Sequence, residues 1–143
     1  EMVTALQEGL KVHFCLFDNA GWGCIEGLQN NQGNETFGTV FRYRNQVTGL
    51  LDGDMMHIDY AMNAASYGLK TYTVTTVEEL RSALEDGKKQ KVSVLYDIKV
   101  LPGSMTPGFD SWWRVGVAEV STQEAVQKAY QDMQEQVRKA RDM

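Results

Sequence analysis

The chain has 143 residues, 43% of them hydrophobic and 23% charged, a balance that fits one globular domain with a real core. Its net charge of −5, with no basic stripe, argues against a nucleic-acid partner, and no apolar stretch approaches the length that crosses a bilayer. Cys15 and Cys24 lack metal-ligand spacing and read as free thiols of a reducing cytoplasm.

Val3, Leu6 and Leu10 stand at helical spacing and predict a first helix over residues 1–10. Residues 11–17 form an apolar run of the kind found in a strand covered on both faces. Asp18-Asn19-Ala20-Gly21-Trp22-Gly23 follows, and then Cys24-Ile25-Glu26-Gly27-Leu28-Gln29, so the order is strand, loop, helix. A turn of this kind at the carboxyl end of a strand is where open α/β sheets bind phosphates and their metal ions. Asn19 offers a neutral oxygen to a hard cation, and Gly21 lets a backbone carbonyl approach closely. The same string also serves as an ordinary connection between a strand and a helix.

Residues 30–59 are rich in Gly and Asn and predict a long irregular segment. It holds Phe37, Phe41, Arg42, Tyr43 and Arg44. Two readings stand: a surface loop anchored by its aromatics, or a loop that folds over a ligand and turns an arginine toward it. Asp59 is placed to cap a short helix running to Tyr67 and stopped at Gly68, and residues 70–74 favour a strand. Thr76 with Glu79 makes a capping box, Val77, Leu80 and Leu84 share a face, and Gly87 is placed to end that helix. Residues 92–98 predict another buried strand. Ser121 with Glu124 repeats the capping pattern before an apolar stripe of Val126, Ala129, Tyr130, Met133 and Val137. Strands alternating with helices imply an α/β fold, a parallel sheet with helices on both faces.

Other residues read more plainly. His13, inside a strand run, is expected to be a hydrogen-bonded packing residue. His57 lies near Asp54 and Asp59 in a polar loop without a further His or Cys, and reads as solvated. Asn34-Glu35-Thr36 matches a glycosylation sequon by chance in a cytoplasmic protein. Trp112-Trp113-Arg114 is expected to anchor the tail or to join a subunit interface.

The stretch from Asp18 to Gly23 resembles the closing half of the thiamine diphosphate motif, with Asp18 where that family usually has Asn. Residues 64–70 and 97–100, then 101–108 and 111–121, are similar to the trihydroxycyclohexane-dione hydrolases, ring-opening thiamine diphosphate enzymes of inositol catabolism. The resemblance covers essentially the whole chain. It implies that the Asn19 side chain and the Gly21 carbonyl coordinate Mg²⁺, which bridges the cofactor's phosphates. It further implies that the Gly23 and Cys24 N–H groups face a phosphate, and that Trp22 packs against the cofactor; a core or rim Trp is the alternative reading. Asp18 is expected to orient the turn rather than to bind metal.

The family's Gly-Asp-Gly, with a third metal ligand, is expected upstream of Glu1; Asp52-Gly53-Asp54 stands in the wrong order to supply it. In this family a Glu from another domain, usually across a subunit interface, activates the cofactor, so no catalytic residue is assigned here. The chain is therefore expected to be the C-terminal part of a cofactor-binding domain. Residues 1–143 would form a single truncated domain, inactive alone, from a homo-oligomeric enzyme acting on a small cyclic dione. An acetolactate synthase-like lyase and a non-catalytic assembly module are the alternatives.

Overall fold

A computed structural model describes residues 1–104 and 114–140. The chain forms two compact units. One combines residues 1–20 with 56–104, and the other combines residues 21–55 with the described part of 105–143.

The first unit carries the sheet. Its elements are α1 (Met2–Gln7) and β1 (His13–Asp18), then, after the segment given to the second unit, α3 (Tyr60–Ala65), β2 (Lys70–Val74), α4 (Val77–Lys89) and β3 (Val94–Lys99). The strands are parallel in the order β1-β3-β2, with Phe17 and Val74 both in register with Ile98. The parallel sheet with helices on both faces is thus as expected. β3 lies in the middle and is buried along all but its last residue, which explains its nearly unbroken apolar sequence. Period-two alternation sends Val94, Tyr96 and Ile98 to one face, where Val74 and Ala83 of α4 join them. On the other face Leu95 packs with Ala64 of α3 and with Leu69, flanked by Met2 and Phe14.

Helix caps follow the sequence in this unit. The Asp59 carboxylate accepts from Met62 N–H at 2.7 Å and starts α3. Thr76 and Glu79 form a complete capping box on α4. Two expectations need correction. α1 stops at Gln7, with Val3, Leu6 and Leu10 exposed and Ala5 its buried residue, so the helical spacing there marks no core face. Gly87 does not end α4, which continues to Lys89. It is buried inside the helix because it lies against the Tyr96 ring, where a Cβ would meet Oη at 1.8 Å.

The second unit holds α2 (Gly23–Asn31) and α5 (Glu124–Lys139). Val126, Ala129 and Met133 of α5 cluster with Val117 and the partly buried Tyr130, while Val137 is half exposed. Just beyond α2, Gly33 has φ +80°, and a Cβ there would stand 2.3 Å from the Ala125 carbonyl oxygen. The expected Ser121–Glu124 capping box does not form: Gln123 is the N-cap, and the Ser121 hydroxyl accepts instead from Gln123 N–H at 3.1 Å. Residues 32–55 carry only isolated antiparallel bridges, Gly21 with Val40 and Arg42 with Met55. Among the described residues no helix is long and apolar enough to cross a membrane.

Candidate functional site

β1 ends at Asp18, and the backbone turns at once. Ala20 takes a left-handed φ of +61°, unusual for a residue with a Cβ, and its N–H donates to Asp18 Oδ1 at 2.9 Å. Asn19 lies between them. Its Nδ2 donates to the Ser104 carbonyl at 2.7 Å, while its own carbonyl accepts from Gly103 N–H at 3.0 Å. With the amide nitrogen committed to a carbonyl, Oδ1 is the side-chain atom left to accept.

Asp18 is fixed by Lys99, the last residue of β3. The Lys99 ammonium donates to Asp18 Oδ2 at 2.8 Å and to the Ile58 carbonyl at 3.1 Å. It also stands 2.9 Å from Asp97 Oδ2 and 5.5 Å from the centre of the Tyr60 ring. Burial works to lower the Lys99 pKa, but its contacts with Asp18 and Asp97 outweigh that, and the net is a rise above the ordinary lysine value. Tyr60 is pushed up as well, first by burial and then by the charge of Asp18.

Asp97 is fully buried, and neither of its carboxylate oxygens receives a hydrogen bond of good geometry among the described residues, so the Lys99 contact is an ion pair. It lines an open cavity of about 250 Å³ with His57, Ile58, Asp59, Thr73 and Lys99. Sequence reading passed over Lys99. The available signal was Asp97 and Lys99 two apart in an apolar strand, which places both on one face of a buried element where each charge needs a partner.

In the second unit, Gly21 forms its bridge with Val40, and Trp22 N–H donates to the Thr39 carbonyl at 2.7 Å. The approach is so close that a Cβ on Gly21 would lie 2.5 Å from the Thr39 oxygen. The Gly21 carbonyl accepts no backbone hydrogen bond among the described residues. Gln29 of α2 holds the facing segment, accepting from the Thr39 hydroxyl at 3.0 Å and donating to the Phe37 carbonyl at 3.2 Å.

α2 starts at Gly23 with no side-chain cap, so the Gly23 and Cys24 N–H groups at its first turn are unclaimed among the described residues. Trp22 is more than half exposed and packs edge-on to Phe41, ring centres 5.6 Å apart. With Gly23, Cys24 and Ile25 it lines an apolar hollow of about 380 Å³.

The loop arginines are occupied locally: Arg42 donates to the Gly53 carbonyl at 2.9 Å and Arg44 to the Gly49 carbonyl. Tyr43 N–H donates to the Asp54 carbonyl and Gly53 N–H to that of Tyr43, which closes the loop on itself. His13 Nδ1 and the Tyr96 hydroxyl share a hydrogen bond at 2.8 Å, and the rings stack. The Trp112-Trp113 pair, with residues 105–111, lies outside the described residues.

A family model described as the thiamine pyrophosphate enzyme, C-terminal TPP binding domain, matches residues 1–98. The chain is 60% identical over 141 residues to a 3D-(3,5/4)-trihydroxycyclohexane-1,2-dione hydrolase of Geobacillus thermodenitrificans. It is 57% identical to each of two hydrolases of that name, 1 and 2, of one strain of Bacillus cereus. Each alignment covers 99% of this chain and 22% of the relative, so the chain spans about a fifth of their length. With the parallel sheet and the family match in agreement, the chain belongs to the thiamine pyrophosphate enzymes, through their C-terminal TPP-binding domain.

Proposed function

We propose that this chain supplies part of the thiamine diphosphate and Mg²⁺ site of a cytoplasmic, homo-oligomeric hydrolase that opens the ring of trihydroxycyclohexane-1,2-dione in inositol catabolism. The observation that carries the reading is the Asn19 amide. Its nitrogen is spent on Ser104, and its oxygen has no partner among the described residues, in a chain 60% identical to a hydrolase of that substrate. The donor chemistry fits the group: an amide oxygen from Asn19 and the unclaimed Gly21 carbonyl are hard, neutral ligands of the kind Mg²⁺ prefers beside phosphate oxygens. Among the described residues no three His, Cys, Asp or Glu side chains converge into a competing metal cluster.

Each residue then has a task. Asn19 and Gly21 hold the metal, and the uncapped start of α2 directs the Gly23 and Cys24 N–H groups toward a phosphate. Trp22, braced by Phe41, presents an apolar wall to the cofactor. Asp18 orients the turn through Ala20 N–H and Lys99. When bound, thiamine diphosphate supplies the electron sink for cleavage of a carbon–carbon bond next to a carbonyl.

The test uses the full-length protein that carries this segment. It should open the cyclic dione only with both thiamine diphosphate and Mg²⁺ present, and Asn19→Ala should raise the Mg²⁺ needed for half-activity by at least about tenfold. Turnover of pyruvate without turnover of the dione would replace the hydrolase reading with a lyase. Stable folding with no response to cofactor and metal would favour an assembly module.

A further inference from the structure

We propose that Lys99 is a positioning residue, whose ammonium holds Asp18 so that the left-handed turn at Ala20 presents the Asn19 oxygen. The proposal rests on the reading of Asn19 as a metal ligand, and it adds a role for a residue on a different strand. Three facts in the first unit carry it. Asp18 uses one oxygen to bind Ala20 N–H and the other to bind Lys99, so its side chain cannot rotate without breaking a bond. Lys99 is itself held from other sides by the Ile58 carbonyl and by buried Asp97, so it is a fixed point and not a swinging surface lysine. The conformation to be held is strained, since Ala20 at φ +61° lacks the freedom with which glycine would adopt it.

This arrangement also accounts for Asp18 standing where an Asn is usual. Lys99 faces two carboxylates. Asp97 is inside the sheet and neutralises the lysine, and Asp18 is the partner at the rim, with a stronger charge-assisted bond than an amide would make. Lys99 is thus the link between the buried carboxylate of the central strand and the turn at the end of its neighbour.

Removing Lys99 alone would leave Asp97 buried and unpaired, and the variant would suffer for that reason whatever happens at the turn. The informative variant is therefore the double change Asp97→Asn with Lys99→Met, which removes both charges of the buried pair and leaves Asp18 unheld. It is compared with wild type in the full-length protein by three measurements: thermal unfolding, hydrogen exchange of peptides spanning residues 16–24, and the Mg²⁺ concentration that half-saturates thiamine diphosphate binding. The expected result is a melting temperature near wild type, exchange at Ala20 about tenfold faster, and a Mg²⁺ midpoint about tenfold higher.

A melting temperature near wild type with unchanged exchange and unchanged Mg²⁺ midpoint would overturn the proposal and leave Lys99 a structural ion-pair partner. If the double variant does not fold, Asp18→Ala, which keeps the Lys99–Asp97 pair, must reproduce the faster exchange and the raised midpoint, and its failure to do so overturns the proposal. If wild type shows no Mg²⁺-dependent cofactor binding, the metal reading of Asn19 falls, and the exchange rate at Ala20 alone decides whether Lys99 holds the turn.

Discussion

Gly87 of α4 lies against the ring of Tyr96 in β3, so close that a Cβ would stand 1.8 Å from Oη and 2.9 Å from Cζ. The ring has nowhere to go. Tyr96 is fully buried, stacked on Tyr72 with centres 5.5 Å apart, and bonded through its hydroxyl to His13 at 2.8 Å. Gly87→Ala gains helix propensity of about 1 kcal/mol but overpacks the core, which typically costs about 1–3 kcal/mol. The net expectation is a loss of up to about 2 kcal/mol in urea unfolding. Tyr96→Phe, by removing Oη, should make the glycine substitution less costly, and a double-mutant cycle measures that coupling.

Gly21→Ala meets backbone instead of side chain. Its Cβ would fall 2.5 Å from the Thr39 carbonyl oxygen and 3.2 Å from Val40 Cα, in a segment where Thr39 is buried and tied to Gln29. The bridge must open, and the Trp22 N–H bond to Thr39 goes with it. A destabilisation of about 1–3 kcal/mol is expected. The edge-on contact of Trp22 with Phe41 should loosen, which a change in Trp22 fluorescence would report.

Much of this fold was legible because its signals are local. The Thr76–Glu79 box, the Asp59 cap and the strand over residues 70–74 each depend on neighbours within a few positions, and each appears as read. What escaped depends on residues far apart in sequence. Gly87 looked like a helix stop because the ring that requires it belongs to the next strand. Lys99 could not be paired with Asp18 from the sequence, because the two stand 81 positions apart. Ser121 and Glu124 have the spacing of a capping box, yet the helix begins two residues later than such a box needs, with Gln123 as cap. Within the site, the turn motif located Asn19 and the start of α2. It gave no hint that Gly21 is required by the Thr39 backbone, since that contact is made by an irregular segment.

The pH response should show the Tyr72–Asp86 bond. Tyr72 Oη donates to Asp86 Oδ2 at 2.5 Å. Burial, then this bond and the charge of Asp86, push the phenol up to about 12, while the same bond holds the Asp86 carboxyl below its usual value. For Tyr72 the folded value lies above the unfolded one of about 10. Its contribution to stability is therefore complete below pH ~10 and lost as pH rises from there through 12. For Asp86 the sign is opposite: its contribution is present above the unfolded carboxyl range and lost as pH falls through the lowered folded value. Asp86→Asn should bring the Tyr72 titration, followed by tyrosinate absorbance, back toward 10, and a midpoint that stays near 12 would mean burial alone sets it.

The capping box of α4 offers a calibrated loss. Glu79 N–H donates to the Thr76 hydroxyl at 3.2 Å, and the Glu79 carboxylate accepts in return from the N–H groups of Thr75 and Thr76. Thr76→Ala should cost about 1 kcal/mol, as losses of an N-cap do. Because α4 packs on the face of the sheet away from Asp97 and Lys99, the same variant should leave Mg²⁺-dependent cofactor binding unchanged in the full-length protein.

Ala20→Gly tests whether the turn after β1 stores strain for the sake of its geometry. An L-residue in the left-handed region costs about 1–2 kcal/mol, whereas glycine enters it freely. Against that gain, glycine adds about 0.4–1 kcal/mol of unfolded-state entropy. The variant should accordingly unfold at the same or slightly higher denaturant concentration, a gain of roughly 0–1.6 kcal/mol. Its effect on binding runs the other way. With Ala20 the favoured backbone regions lie outside the left-handed one, and the Asp18 bond to Ala20 N–H holds the turn against them, which keeps Asn19 tied to Ser104 and Gly103. With glycine the left-handed region is entered freely, but so are regions closed to alanine, and the Mg²⁺ midpoint for cofactor binding should rise even as stability holds. Stability and affinity falling together would instead mean that the Cβ of Ala20 packs for stability, and that the positive φ at this turn carries no functional geometry.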